Sequence, residues 1–316
     1  MADRNGGNPN QRATDREGAR VGRERTPDDI PKQDTVSRGT IVPGNVDETQ
    51  FQPSGVETGG KYLLGAPVRP NIVHDNGHLV LGMRAPTLTD YAELAKWRAM
   101  LAGGEALRPD LVDALAAYRH FLDGDGKPRM FSYDRYVMND ASGQATLRNA
   151  ILEFQFAAID LWTSGGEPHD FMITGPAIPC GASTKSLAYL MMHFPYPATE
   201  NWQKAIGAHS IWLSGRVQAF PPVVNGNDTM FKATMTLHAE DRYNFNPGAA
   251  DIATGMPDSD NGRFEVTGLA HQYDNFATLT RLLEWHGFDL GVSLAARPHT
   301  TRLRQPSNNR RLRNRL

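Results

Sequence analysis

The 316-residue chain has a single cysteine, Cys180. An intrachain disulfide is therefore excluded, and the chain reads as one made for a reducing cytosol. Long apolar runs are missing as well. The longest apolar segment, AILEFQFAAIDLW from Ala150 to Trp162, is interrupted by Glu153, Gln155 and Asp160. It reads as a core-facing amphipathic helix, well short of the roughly 18 apolar residues of a membrane span. The first residues, MADRNGGNPNQR, lack the apolar core of a secretory signal. The expected location is the cytoplasm of the producing cell, with any export by a route that needs no cleaved signal. A large excess of one charge is absent too. The formal net charge is -2, which argues against general nucleic-acid binding by the whole molecule.

What is present divides into three parts. Residues 1–60 mix both charge signs with Gly, Pro, Asn and Thr and carry few large apolar groups. Such a segment cannot bury enough surface to offset its ordering entropy, so a disordered arm is expected. Residues 61–296 hold most of the apolar residues and read as one α+β domain. Residues 297–316 carry Arg297, Arg302, Arg304, Arg310, Arg311, Arg313 and Arg315 and no acid. This tail is either a solubilising end or a docking segment for an anionic partner.

Within the central part, helices come first. Thr87 is placed to cap a helix with Asp90 in its first turn. Tyr91, Leu94, Trp97 and Leu101 recur at helical spacing, and Gly103-Gly104 supply a stop. A second helix begins near Pro109, with Leu111, Leu115, Tyr118 and Leu122 as its stripe and Gly124 as its end. The two are expected to form a hairpin. A third runs from Gly143 to Trp162, with Leu147, Ile151, Phe154, Ala158 and Trp162 inward. The period then changes. FMITG is a short strand, a helix is expected from Ser183, and SIWLSGRVQAF and DTMFKATMTLHAE alternate as strands do. Phe231, Ala233, Met235 and Leu237 share one face of the latter, and Lys232, Thr234, Thr236 and His238 the other. The Asn225-Gly226 pair between them signals a hairpin turn. GRFEVTG and TLTRLLEWHG read as further strands. The fold expected is α+β, N-terminal helices packed on a mainly antiparallel β-sheet, with disordered tails at both ends.

Chemistry concentrates in the stretch LHAEDRYNFNPGAADIATGMPDSDNGRFEVTG, Leu237 to Gly268. His238 and Glu240 face the same way on a strand, and Asp241 is expected to begin the turn. Asp251, Asp258, Asp260 and Glu265 follow, with Arg242 and Arg263 available to pair with them. Carboxylates gathered at the rim of a sheet can bind a metal or carry protons. Asp and Asn in DRYNFNPG and MPDSDNGR also make Asx-turns, and Tyr243 and Phe245 would anchor such a loop by packing. Both readings stay open, and no cofactor or particular metal is named by the residues. The H-x-E of LHAE fails as a zinc-deaminase match, because the second cysteine of a later P-C-x-x-C is missing. DGDGKPRMFSYD, from Asp123, has Lys127 and Pro128 where a calcium loop needs an oxygen ligand and a glycine, so it reads as a helix-ending turn. A second candidate site is Cys180 with His209. A cysteine just before a helix start has its thiol pKa lowered, and a strand histidine follows it in GAHSIWLSGRVQ. That chain order resembles cysteine peptidases of the NlpC/P60 type.

Two blocks carry a further resemblance. YPATENWQKAIGAHSIWLSGRV, Tyr196 to Val217, and TLHAEDRYNFNPGAADIATGMPDSDNGRFEVTGLAHQY, Thr236 to Tyr273, resemble an uncharacterised proteobacterial family of similar length. The resemblance covers about residues 80 to 290. Members tend to be found near type VI secretion and polymorphic-toxin genes, so it implies a secreted effector or toxin-like protein with an immunity protein or secretion apparatus as partner. The alternative is a non-enzymatic adaptor or structural component of the same system. Asp241-Arg242-Tyr243-Asn244 is also loosely similar to colicin M-type toxins, which cleave the lipid-linked peptidoglycan precursor. Those toxins carry Asp-x-Tyr-Asp on a curved antiparallel sheet, followed by a His-Arg pair. Here Asn244 replaces the second Asp and no His-Arg follows nearby. The resemblance implies Asp241 as a base or metal ligand and Tyr243 as a positioning hydroxyl. With His238, Glu240, Asn244, Asp251, Asp258 and Arg263 they make the first set of candidate site residues, and Cys180 and His209 the second.

Overall fold

Three long strands carry the molecule. The computed structural model describes residues 59–181, 194–222 and 228–291. In chain order its strands are β1 (Leu63–Leu64), β2 (Arg129–Met130), β3 (Asp170–Thr174), β4 (Ile178–Cys180), β5 (His209–Phe220), β6 (Met230–Tyr243) and β7 (Tyr273–His286). They form one sheet in the order β1-β3-β5-β6-β7-β2, with β4 paired to the start of β5. Every pairing is antiparallel except β2 with β7. The β5–β6 pair runs without a break from Ser210↔Glu240 to Phe220↔Met230. The Asn225-Gly226 turn expected to join them, the helix expected from Ser183, and both tails beyond 59 and 291 lie outside the described residues.

Period-2 alternation sets the two faces of the sheet. Phe231, Ala233, Met235, Leu237 and Ala239 of β6 are all buried. They pack with Leu213 and Val217 of β5 and Leu279 and Leu283 of β7 beneath α3 (Tyr133–Asn139) and α4 (Ala141–Ser164). Gly215 is required here. A side chain at that position would meet the Phe154 ring at 2.8 Å and the Thr234 carbonyl at 2.4 Å. The other face is exposed towards Lys232 and is covered towards Glu240 by residues 68–76, where Arg69 and His74 reach the Glu240 carboxylate at 2.7 and 3.6 Å.

The helices begin as the capping residues dictate. Thr87 and Asp90 form a reciprocal capping box at the start of α1 (Leu88–Leu107), worth about 1 kcal/mol. Asp140 caps α4 through the Ser142 and Gly143 amides. Pro109 sits in a 3-10 turn leading into α2 (Val112–Asp123), which ends at Gly124. Two expectations are corrected. Gly103-Gly104 do not stop α1; it continues to Leu107, and Gly104 instead makes room for Leu115 of α2. GRFEVTG is not a strand. It is the body of a helix, Ser259–Thr267, closed by Gly268 at φ 67°. With Glu200–Ala205 numbered α5, that helix is α6.

The hairpin of α1 and α2 and the helix α6 meet the sheet at one end only. Leu94, Trp97, Leu101, Phe121, Leu122, Phe264 and Tyr273 form a second apolar cluster there, joined at its edge by Tyr243 and Phe245. This cluster holds the hairpin over the end of β6 where the polar stretch begins.

Candidate functional site

β6 continues through Asp241 to Tyr243, so Asp241 lies on the strand and does not begin the turn. The strand's alternation then separates residues that a linear reading groups together. Asp241 and Tyr243 pair across to Asn275 and Tyr273 and lie on the helix-covered face. His238, Glu240 and Arg242 lie on the opposite face, because successive side chains point to opposite sides of a sheet.

On the helix-covered face a cavity of about 470 Å³ opens at the end of β6. One wall is apolar, from Trp97, Met100, Leu101, Leu111, Leu115 and Tyr118 of the hairpin region. The facing wall is polar and includes Tyr196, Glu200, Lys204, Asp241, Asp251 and Asp258. Of the first candidate set, Asp241, Tyr243, Asn244, Asp251 and Asp258 therefore converge on one cavity. His238, Glu240 and Arg263 do not line it.

Each carboxylate has a distinct setting. Asp241 is 4% exposed. Asp251 accepts the Thr254 amide at 2.7 Å and its hydroxyl at 2.5 Å, and pairs with Lys204 at 3.3 Å. Asp258 accepts the Asn246 amide at 3.0 Å, and burial raises its pKa above the ordinary carboxylate value. Burial pushes the phenols of Tyr196 and Tyr243 above the usual value; Arg129 opposes this at Tyr243, and the charges of Asp241, Asp251 and Asp258 add to it at both. The two hydroxyls and three carboxylates thus sit within electrostatic reach of one another. The phenols stay protonated at neutral pH and are hydrogen-bond donors. Tyr196 fits because Gly181 lies against it; a side chain at Gly181 would meet its ring at 2.8 Å.

The floor is fixed from outside the cavity. Asn244 donates to Asp75 Oδ1 at 2.5 Å. Glu265 accepts the amides of Phe245 at 2.8 Å and His78 at 2.9 Å, one on each oxygen. His78 Nδ1 reaches the Phe245 carbonyl oxygen at 2.7 Å. The His78 ring occupies the space where a side chain at Gly262 would stand, 2.0 Å from Nδ1. Burial pushes Glu265 up to about 8, against the opposing pull of the two amides.

The remaining candidates have other partners. His238 stacks on Trp212 at 3.6 Å and contacts the Ser214 hydroxyl at 2.9 Å; burial brings its pKa down to about 4. Arg263 stands 3.8 Å from Asp90. Cys180 lies on β4 and is the register partner of His209 on β5. Both are buried, at 1% and 3% exposure. Burial raises the thiol above its usual value and lowers His209 to about 4, and Tyr133 holds His209 Nε2 at 2.9 Å. Burial therefore opposes the thiolate that nucleophilic chemistry needs.

Trp97, Tyr118, Tyr196 and Lys204 were not among the candidates. Tyr196 and Lys204 lie in the first resemblance block, but nothing in their spacing connects them to Asp241. Among the described residues no group of three or more His, Cys, Asp or Glu side chains is arranged to hold a metal ion, and no helix is long and apolar enough to cross a membrane.

No known protein family matches the chain, and neither does any curated protein. Among solved structures it matches PaeM, a colicin M-like bacteriocin produced by Pseudomonas aeruginosa, at 16% identity and a TM-score of 0.33. The match covers 56% of this chain and 52% of that one, so the chain spans about half the length of the protein it matches. A likeness this slight carries no argument about fold or chemistry, and the reading of the site rests on its own geometry.

Proposed function

We propose that this chain is a toxin-like bacterial effector, linked to type VI or contact-dependent secretion, that acts through the cavity at the Asp241 end of β6. The observation that carries the reading is convergence. Five of the candidate residues, all from one 18-residue stretch, Asp241 to Asp258, meet in a cavity of about 470 Å³ walled on its other side by an apolar helix hairpin. An amphipathic cleft of that size with protonated phenols and carboxylates is suited to binding a small ligand and to moving protons on it. On this reading Asp241 and Asp258 are the acid–base groups and Tyr243 and Tyr196 the donors that position the ligand. The protein is made in the producer's cytoplasm, is secreted from it, and meets an immunity protein or a component of the secretion apparatus. The arginine-rich tail meets an anionic partner.

The test is compartment-specific expression in a bacterium, with and without a periplasmic export signal. Growth inhibition in one compartment that disappears with Asp241→Asn, while the thermal midpoint of the variant is unchanged, is the expected result. A second reading, a non-enzymatic adaptor, is favoured by one observation. Asp251, Asp258 and Glu265 each hold backbone amides of the loop, as a rigid scaffold would. Absence of inhibition in both compartments, with partner capture by the wild type and by Asp241→Asn alike, would establish the adaptor instead.

A further inference from the structure

The cavity's charge selects among ligands. Its two wall cations outside β6 are already engaged. Lys204 is held by Glu200 at 2.9 Å and Asp251 at 3.3 Å, and Arg108 by Asp110 and Glu200, each at 2.7 Å. Asp258 accepts the Asn246 amide and forms no salt bridge among the described residues. Asp241 faces the same space, and the Tyr196 phenol feels Asp241, Asp251 and Asp258 as like charges. A phosphate or carboxylate entering here would meet four wall carboxylates, Glu200, Asp241, Asp251 and Asp258, while Arg242, the third wall cation, is engaged by Asp274 at 2.8 Å as Lys204 and Arg108 are by their own acids. A positively charged nitrogen would meet carboxylate acceptors on the polar wall.

The facing wall specifies more of the ligand. Trp97 lines it and is 8% exposed. The neighbouring Met100, Leu101, Leu111 and Leu115 offer only dispersion and burial.

We infer that the cavity takes a small amine with an apolar body, its ammonium or guanidinium nitrogen seated between Asp241, Asp258 and the Tyr196 hydroxyl and the apolar body on the hairpin wall. This names the ligand class of the cavity already proposed as the working site and rests on that proposal. It also departs from what the colicin M-type likeness of Asp241-Arg242-Tyr243-Asn244 implies, since that activity acts on a phosphate-bearing lipid.

Titration calorimetry on the full chain with three matched probes tests it: Nα-benzoyl-lysine amide, its uncharged Nα-benzoyl-norleucine counterpart, and the acidic Nα-benzoyl-glutamate amide. The lysine compound should bind about tenfold or more tighter than the norleucine one, the discrimination expected of one charge-assisted hydrogen bond. The glutamate compound should bind weakest. Asp258→Asn, which keeps an oxygen for the Asn246 amide, should erase the preference, and Tyr196→Phe, which keeps the ring, should reduce it severalfold. Equal or tighter binding of the norleucine or glutamate compound overturns the inference. So does a lysine preference that survives both variants, or no binding of any probe. The two proposals fail separately. Growth inhibition that depends on Asp241, without amine selectivity, removes the ligand class and keeps the working site. Amine selectivity with no inhibition in any compartment removes the effector reading and keeps the ligand class.

Discussion

Glu265 shows what a single side chain does for this site. Its two oxygens each accept one backbone amide, from Phe245 and His78, and so tie the strand end, the turn at residues 77–81 and α6 together. Glutamine has one acceptor oxygen and would turn an N–H towards the second amide. Glu265→Gln should therefore cost about 1–3 kcal/mol, the penalty of a buried donor left unmet, read as a lower urea midpoint. The carboxyl also makes a pH signature. Burial lifts it to about 8 from an ordinary 4.5, so between those values the folded protein holds a proton that the unfolded chain has released. The stability this contributes is fully present below about pH 4.5 and is lost as pH rises through about 8. The wild-type urea midpoint should fall across that window, and Glu265→Gln should flatten the fall. A variant with the same pH slope as wild type would show that Glu265 is ionised throughout. Glu265 stands in the sequence as one more acid of a polar run. Its anchoring role was not legible there, because His78 is 187 positions away along the chain.

At the scale of elements, what was legible followed from periodicity, and what was not followed from contacts between distant segments. The long strands β5, β6 and β7 announce themselves by sustained alternation. Alternation also predicts that His238 and Glu240 share a face, and they do. It could have predicted that Asp241 and Tyr243 take the other face, had the strand been continued through them. The dense polar residues there look like a turn, yet Asn275 and Tyr273 of β7 give them partners. GRFEVTG fails for the opposite reason. Phe264 and Val266 alternate over too few residues to distinguish a strand from a helix buried nearly all round. Its buried residues, from Asn261 to Thr267, leave no amphipathic period. The deciding signals were at its ends, Asp260 in the first turn and Gly268 in the left-handed cap. Gly104 misleads in the same way, since it serves the hairpin's close packing on Leu115. The two faces of β6 give a direct prediction. His238→Ala removes a ring stacked on Trp212 and bonded to Ser214 and should lower stability by about 1–2 kcal/mol. It should leave lysine-probe affinity unchanged, because its side chain lies across the sheet from the cavity. A joint loss of affinity and stability in His238→Ala would mean that the sheet transmits strain between its faces.

For the molecule as a whole, the instructive quantity is the distribution of charge. The formal net charge is only -2, yet seven arginines and no acid fall within residues 297–316, so the remainder of the chain is distinctly acidic. The cavity wall, with Asp241, Asp251, Asp258 and Glu200, belongs to that acidic remainder. The partners proposed for the two regions are accordingly of opposite sign, a cationic ligand at the cavity and an anionic surface at the tail. Near-neutral totals conceal this, and only the order of the residues along the chain reveals it. Replacing Arg310, Arg311, Arg313 and Arg315 together with Gln tests the separation. Each basic residue at an anionic surface contributes about 1 kcal/mol, so partitioning onto phosphatidylserine-rich vesicles at low salt should fall roughly a hundredfold or more. Wild-type binding should itself decline steeply as the Debye length shortens from about 30 Å to about 3 Å between 0.01 and 1 M salt. Lysine-probe affinity at the cavity should be the same in both proteins at fixed salt. Vesicle binding that is indifferent to salt, or unchanged by the four substitutions, would assign surface attachment to the body of the protein and leave the arginines a role in solubility alone.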